Sequence, residues 1–275
     1  MIPNLPTLKI LPIDLLILHE DHDMQRTLPL VNKLRAQGIL RNPPIVMPLS
    51  DGSGRYMVLD GANRVTSLRE MGFPHIVAQV VEPDDKNITL QTWNHIVWGM
   101  ESQQFVEAVR KVKAIKLKKF DPQQSLDPPE TAPVHIRLPD GGLYLAIPPA
   151  ELIDKVGALH GIVDCYKEIA VLDRTSQTLP ETFKATYPDM TALVIFPRFD
   201  IPSVLNLAGQ NCVLPTGITR FTISPRALHL NYPLHELSSG KPIEYKETYL
   251  QHWLVERIKN KSVRYYVEAT FLFDE

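Results

Sequence analysis

Residues 55–72 constrain the fold of this chain more than any other stretch. An apolar run at 56–59 is suited to a buried strand, and Asp60-Gly61 ends it. Residues 62–71 have helical spacing, with Val65, Leu68 and Met71 on one face. Gly72 follows where a helix C-cap glycine belongs. The stretch therefore predicts a strand, a tight turn and a helix.

The turn before this helix has the character of an anion site. The first N–H groups of a helix lack partners, and they coincide with the positive end of the helix dipole. Gly61 lets a ligand approach the main chain closely, and Arg64 adds a guanidinium suited to phosphate. An ordinary turn capped by Asp60 explains the same residues equally well, so both interpretations stay open at this point.

Bulk properties narrow the class of protein. The 275 residues are 44% apolar and 22% charged, which is an ordinary globular composition sufficient for one large domain or two small ones. The formal net charge of −2 argues against a general nucleic-acid binder. Only Cys165 and Cys212 are present, in no metal-spaced or C-x-x-C cluster, which favours a cytoplasmic protein. Prolines interrupt the apolar N-terminus, so neither a signal peptide nor a membrane span is expected.

The pattern of elements predicts two α/β regions. The first 82 residues carry strands and helices that form a compact unit, and a Pro- and Asp-rich linker is expected at 121–133. The later region is predicted as α+β, with a cleft between the regions as the default ligand site. The sequence also predicts a helix continuing over 162–170, a solvated helix end at 111–119, and strands at 228–230 and 263–272.

Several polar groups remain as candidates for chemistry. They are an acidic cluster at 19–23 that contains Glu20, a Trp93/His95 pair, and Thr219/Arg220 after a turn made by Pro215 and Gly217. A phosphate-binding turn, a carboxylate base and groups for a small acceptor are the parts of a phosphoryl transferase. Each also has a structural explanation: a solvated loop, a core tryptophan and a surface hydrogen-bond pair. No H-E-x-x-H or other metal-spaced histidine pair occurs.

The chain resembles the ParB/sulfiredoxin superfamily, and within it the free L-serine kinases of the siderophore-pathway type that form O-phospho-L-serine. Those kinases carry a D-G-x-x-R box, an H-E pair, a W-x-H element, and G-I-T-R followed by N-Y-P-L. This chain matches the motifs with Asp60-Gly61-Ala62-Asn63-Arg64, His19-Glu20, Trp93-Asn94-His95, Gly217-Ile218-Thr219-Arg220 and Asn231-Tyr232-Pro233-Leu234. Ala62 stands where sulfiredoxins have their catalytic cysteine, so sulfiredoxin chemistry is not expected.

The resemblance implies an α/β (α+β) fold and a specific reaction. A nucleotide-binding ParB/sulfiredoxin-like domain would span 1–120, and an α+β substrate-binding domain would span 121–275. A phosphoryl group would pass from ATP or ADP, with Mg²⁺, to free L-serine. The implied roles are general base for Glu20, magnesium ligand or acceptor-orienting group for Asp60, nucleotide phosphate ligands for Gly61, Ala62, Asn63 and Arg64, and serine ligands for Trp93, His95, Thr219 and Arg220.

The resemblance also leaves a rival interpretation from another class. A ParB-like protein that binds nucleotide and regulates at DNA, without kinase activity, would use the same turn. The near-neutral charge and the lack of a helix-turn-helix pattern favour the kinase, so DNA and membrane are not expected as partners. The number of chains that assemble is left open, a homodimer included.

Overall fold

The computed structural model describes residues 5–22, 24–120, 134–183 and 185–266. The chain divides into two compact units. The first unit consists of Met1–Leu16, Met24–Pro83 and Pro225–Glu275, and the second consists of Ile17–Asp23 and Asp84–Ser224. These units divide the chain at other positions than the expected boundary at 120/121. The linker expected at 121–133 lies outside the described residues.

Strands and helices are interspersed along the chain, with several runs of consecutive strands. The strands are β1 (Leu8–Pro12), β2 (Leu16–Leu18), β3 (Ile39–Leu40), β4 (Ile45–Pro48), β5 (Tyr56–Asp60), β6 (His75–Val80), β7 (Ile88–Thr92), β8 (Asn94–Trp98), β9 (Lys116–Lys119), β10 (Val134–Arg137), β11 (Leu143–Ile147), β12 (Val171–Thr175), β13 (Met190–Ile195), β14 (Thr219–Ile223) and β15 (Tyr232–Pro233). The helices are α1 (Met24–Gln37), α2 (Ala62–Glu70), α3 (Ser102–Arg110), α4 (Leu152–Asp164), α5 (Ile201–Gly209), α6 (Leu234–Ser238) and α7 (Ile243–Lys259). The predicted mixed α/β fold is confirmed.

The first unit contains strands that pair in the order β1, β6, β4, β5. β6 runs antiparallel to β1 and parallel to β4, and β4 forms an antiparallel pair with β5. Every residue of β6 after His75 is buried, as expected for a central strand with both faces covered. Val65 and Leu68 of α2 are completely buried, so the apolar face seen in the sequence is the packed face.

The strand, turn and helix predicted at 55–72 are all present. β5 ends at Asp60, Gly61 is the N-cap residue of α2 with φ +101°, and the helix ends before Gly72, whose φ is +76°. A positive φ at both ends explains why glycine occupies these positions.

The second unit contains a six-stranded sheet in the order β12, β8, β13, β10, β11, β9, with antiparallel pairs throughout. β7 and β14 form a separate antiparallel ribbon. β10 and β11 form an antiparallel hairpin. Asp200 is the N-cap residue of α5, and its Oδ1 accepts a 2.7 Å hydrogen bond from the Ser203 N–H.

Sheet pairing overrides some local predictions. The helix predicted to reach residue 170 ends at Asp164, and the edge strand β12 (Val171–Thr175), for which no element was predicted, follows it. Lys116–Lys119, predicted as a solvated helix end, forms the opposite edge strand, β9, whose lysines are mostly exposed. No strand forms at 228–230, residues 263–266 have no strand, and the rest of the strand predicted at 263–272 lies outside the described residues. Within the described ranges, no helix has the length and apolar character to cross a membrane.

Candidate active site

The carboxylate of Glu20 is held by the turn at residues 217–219, inside the second unit. Its Oε2 accepts a hydrogen bond of 2.8 Å from the Gly217 N–H. Its Oε1 accepts bonds from the N–H groups of Ile218 (3.1 Å) and Thr219 (2.6 Å), and from the Thr219 hydroxyl. A bridge between Glu20 and Leu214 fixes the backbone beside it. The H-E and G-I-T-R motifs, remote in sequence, therefore form one site.

The two carboxylate oxygens of Glu20 differ in how many donors they already have. Each oxygen offers about two acceptor positions. Oε1 receives three donors, whereas Oε2 receives one, from Gly217. The remaining acceptor position on Oε2 can take a hydrogen bond from a substrate hydroxyl, which is the first requirement of a general base.

Thr219 holds the base and does not face outward. Its side chain is buried, and its single hydroxyl proton goes to Glu20 Oε1. The hydroxyl oxygen lies 2.7 Å from Nε2 of His19, so the His19 Nε2–H must be the donor in that contact. His19 packs edge-on against Phe221, with ring centroids 5.3 Å apart. The structure thus makes Thr219 a support for Glu20, which differs from its predicted role as a serine ligand.

His95 lies behind the turn, with no exposed surface. Its Nε2 is 2.9 Å from the Gly217 carbonyl oxygen, which can only accept, so Nε2 carries the proton. Nδ1 then accepts from the Tyr166 hydroxyl at 2.7 Å. Burial lowers the pKa of His95 to about 4, although the bond to Gly217 acts in the opposite direction. The neutral ring orients the turn from inside, which corrects the predicted direct contact between His95 and serine.

Trp93 and Arg220 form a stacked pair beside the turn. The Arg220 guanidinium lies 4.4 Å from the centroid of the Trp93 ring, within the range of a cation–π interaction. The Trp93 backbone N–H donates to the Ile218 carbonyl at 3.0 Å, which ties the tryptophan to the residues that hold Glu20. Both side chains are partly exposed. The predicted pair is therefore placed where a small substrate can reach it.

Arg174 is a cationic residue of this group that lies outside every sequence motif. It belongs to the edge strand β12, and its guanidinium lies against the α-carbon of Gly217, where a Cβ would overlap it. The same Gly217 donates its N–H to Glu20. Among the described residues the Arg174 side chain makes no hydrogen bond or ion pair, and the residue is exposed. No signal in the sequence pointed to it, because no element was predicted for residues 171–175, which form β12.

The Asp60-to-Arg64 turn belongs to the first unit. Gly61, with φ +101°, provides no side-chain cap, and the first backbone bond of α2 runs from the Val65 N–H to the Gly61 carbonyl. The N–H groups of Ala62 and Asn63 precede that bond, so the helix itself leaves them without acceptors. The geometry of an anion-binding helix end is therefore present at these residues.

Arg64 serves the protein and not an open anion site. Its Nη1 donates to the carbonyls of Asn42 (2.8 Å) and Pro43 (3.1 Å), and its Nη2 donates to Asp60 Oδ2 (3.1 Å). Burial lowers the pKa of the Arg64 guanidinium, against the opposing charge of Asp60. A Cβ on Gly61 would lie 2.9 Å from Nη2, so this packing also requires the glycine. The structure does not support the predicted contact between Arg64 and phosphate.

The Asp60 carboxylate already has two cationic partners. Its Oδ2 accepts from Arg64 and also from Arg226, a second arginine that lies outside every sequence motif. Burial raises the pKa of Asp60, but the two guanidinium groups outweigh burial and the net pKa is lowered. Within the described ranges, no cluster of three His, Cys, Asp or Glu side chains could hold a metal ion. A carboxylate held by two cations does not fit the predicted role of magnesium ligand.

Comparison with known proteins identifies proteins of the same architecture. No family model matches the chain. The chain is 24% identical over 281 residues to the ATP-dependent L-serine kinase SbnI of Staphylococcus aureus, covering 98% of this chain and 97% of that protein. A solved structure of SbnI with a C-terminal truncation, from the same organism, superimposes with a TM-score of 0.71 at 23% identity, covering 91% of this chain and 97% of the other.

A free serine kinase with a glutamate-to-glutamine substitution, solved in complex with AMP, gives a TM-score of 0.69 at 16% identity, covering 84% of this chain and 93% of the other. The chain has the fold of these serine kinases.

The structure gathers the predicted residues into two groups, one in each unit. The group in the second unit surrounds the turn at 217–219 and contains Glu20, Trp93, His95, Thr219 and Arg220. The group in the first unit lies at the start of α2 and consists of Asp60, Gly61, Ala62, Asn63 and Arg64. Folding adds Arg174 and Tyr166 to the group around Glu20, through Gly217 and His95. It adds Arg226 to the group around Asp60.

Proposed function

We propose that this protein is a kinase that transfers a phosphoryl group from ATP or ADP to free L-serine and forms O-phospho-L-serine. The arrangement that supports the proposal most is the Glu20 carboxylate, fixed through Oε1 with an acceptor position left on Oε2. The similarity to a protein named ATP-dependent L-serine kinase, along nearly the whole chain, supports ATP as the donor.

Glu20 acts as the general base in this mechanism. The serine hydroxyl donates a hydrogen bond to Oε2, and its proton passes to Oε2 as the hydroxyl oxygen attacks the terminal phosphorus. The bond between that phosphorus and the bridging oxygen breaks, and the shortened nucleotide leaves with the electron pair. The three donors on Oε1 keep the carboxylate oriented throughout. Mg²⁺ enters as part of the nucleotide substrate, since Asp60 does not fit as its ligand.

The serine site is formed from the cationic and aromatic residues around Glu20. We assign the α-carboxylate of serine to Arg220 and Arg174, because guanidinium groups bind carboxylates with two parallel hydrogen bonds. The Arg174 side chain makes no hydrogen bond or ion pair with the described residues, and it lies against Gly217, next to the base. Trp93 supports Arg220 by stacking and provides an apolar wall. His95 and Thr219 position the turn and make no contact with serine.

The nucleotide site is assigned to the start of α2. The N–H groups of Ala62 and Asn63 lie at the positive end of the helix dipole, and Gly61 permits close approach of a phosphate. This assignment agrees with a relationship of the first unit to the ParB/sulfiredoxin superfamily, which we propose on the basis of the motifs in the sequence.

The decisive experiment incubates the purified chain with L-serine, Mg²⁺ and either ATP or ADP, and detects phosphoserine by ³¹P NMR. Threonine and homoserine replace serine in parallel reactions to define the acceptor. Absence of phosphoserine with both donors would overturn the proposal. A salt-sensitive and sequence-selective gel shift with DNA would favour the regulatory alternative instead.

Glu20→Gln tests the base. We expect turnover to fall by ~10²–10⁴, with nucleotide affinity unchanged. The matched control is Asp21→Asn, which neutralises the neighbouring carboxylate, itself 3.6 Å from His160 Nδ1. The NH₂ group of the new glutamine faces the Gly217 N–H, which is also a donor, so the substitution weakens the turn. Thermal melting should therefore accompany the kinetics, to show that the variant is folded. Full turnover in a folded Glu20→Gln protein would remove Glu20 from the mechanism.

A further inference from the structure

The backbone on both sides of Arg226 is held by one buried amide. The Gln79 Nε2 donates to the Pro225 carbonyl at 2.9 Å, and its Oε1 accepts from the Ala227 N–H at 2.8 Å. Gln79 lies on the central strand β6 and is only 2% exposed. A side chain that pairs with residues 225 and 227 together fixes the direction in which Arg226 leaves the backbone.

A second contact fixes the same loop. The His229 N–H donates to Asn42 Oδ1 at 2.8 Å, and the Asn42 carbonyl accepts from Arg64. The Arg226 guanidinium itself donates to Asp60 Oδ2, one residue before Gly61. The loop therefore carries an arginine to the start of α2, inside the first unit.

The two arginines at Asp60 differ in how many of their N–H groups are already used in hydrogen bonds to the protein. The Arg64 side chain is 20% exposed and donates to three protein oxygens. The Arg226 side chain is 38% exposed, and its contact with Asp60 is the only hydrogen bond that it makes among the described residues. A guanidinium with one exposed acceptor has most of its N–H groups available to a ligand.

We propose that Arg226 is the guanidinium that binds the nucleotide phosphates, and that Asp60 holds this side chain when no nucleotide is present. The inference rests on the proposed kinase function and deepens it. The exchange is feasible because ion pairs at exposed positions stabilise little, whereas a polyphosphate offers more charge and more acceptors than one carboxylate. Gln79 is then a positioning residue, which acts on the nucleotide only through Arg226.

The first experiment measures the affinity for ATP and ADP by isothermal titration calorimetry, with and without Mg²⁺. Arg226→Ala should weaken binding about 10- to 100-fold, the value of a charge-assisted hydrogen bond or two. Arg35→Ala, which removes an exposed arginine of α1 in the same unit, is the matched control and should leave affinity unchanged.

Asp60→Asn gives a prediction of opposite sign. Removing the competing carboxylate should tighten binding of both nucleotides about 2- to 5-fold, in the presence or absence of Mg²⁺. If Asp60 were a magnesium ligand, the variant would instead weaken binding only when Mg²⁺ is present. That result would overturn the assignment of Asp60 as the partner of Arg226.

A double-mutant cycle tests the positioning role of Gln79. Gln79→Leu should weaken nucleotide binding nearly as much as Arg226→Ala, and combining the two should add little further loss. Additive losses would show that Gln79 acts on stability and not through Arg226. Serine phosphorylation with unchanged affinity in Arg226→Ala would overturn this inference and leave the proposed function standing, whereas a wild-type protein that binds no nucleotide would overturn both.

Discussion

Replacing His95 with glutamine tests the physical account of the turn that holds Glu20. The wild-type ring is completely buried and neutral, with Nε2–H donating to the Gly217 carbonyl. A glutamine can place an N–H donor near the same carbonyl, and it stays uncharged at every pH. The substitution therefore removes the titration of the ring while keeping a donor for the turn.

The magnitude follows from the pKa of His95, which burial lowers from 6.5 to about 4. Above pH 6.5 the ring is neutral in both the folded and unfolded chain, so its pH-dependent penalty is absent. Between pH 6.5 and pH 4 the unfolded chain binds the proton and the folded chain does not, so the free energy of unfolding falls as the pH falls. The loss amounts to about 3 kcal/mol by pH 4.

The assay is urea unfolding at a series of pH values between 7.5 and about 4, with the wild type and His95→Gln compared at each pH. Carboxylates titrate in both proteins, so their contribution cancels in the difference. We expect the variant to be less stable at neutral pH, because it loses ring contacts with Tyr166 and Phe196, but to lose less stability on acidification. Parallel stability curves across this range would refute the assignment of a buried, neutral His95.

Two further predictions concern single contacts. Gly217→Ala should destabilise the protein by about 1–2 kcal/mol because φ at this position is +74°, and its Cβ should displace the Arg174 guanidinium. Arg174→Ala should lower kcat/KM for serine while leaving the turn at Gly217 intact, and an unchanged kcat/KM would place Arg174 outside the serine site. Asp200→Ala should cost about 1 kcal/mol in urea unfolding, since it removes the cap bond from the Ser203 N–H while leaving kinase kinetics unchanged.

The elements that the sequence predicted well depend on local chemistry. The strand, turn and helix around Gly61 follow from apolar spacing and from a glycine that takes a positive φ. The elements that it predicted wrongly depend on remote pairing. Lys116–Lys119 forms a strand because it pairs with β11. Val171–Thr175, for which the sequence predicted no element, forms a strand because it pairs with β8.

At the candidate site, too, the sequence predicted some features and folding decided the others. The motifs located Glu20, Trp93, Thr219 and Arg220, which the structure brings together around one turn. Their individual roles were not readable from sequence. The burial of His95 and the partners of Arg64 exist only after folding, and they change two predicted ligands into structural supports.

The sequence by itself determined the secondary structure around Gly61, the ordinary globular class and the residues that carry the motifs, because these depend on neighbours within a few positions along the chain. Only the tertiary structure decided which side chains remain available for a ligand. Hydrogen-bonding capacity is finite, and the partners that consume it at Thr219, Arg64 and Asp60 come from distant segments. For the same reason, Arg174 and Arg226 acquired significance only when folding placed them beside Gly217 and Asp60.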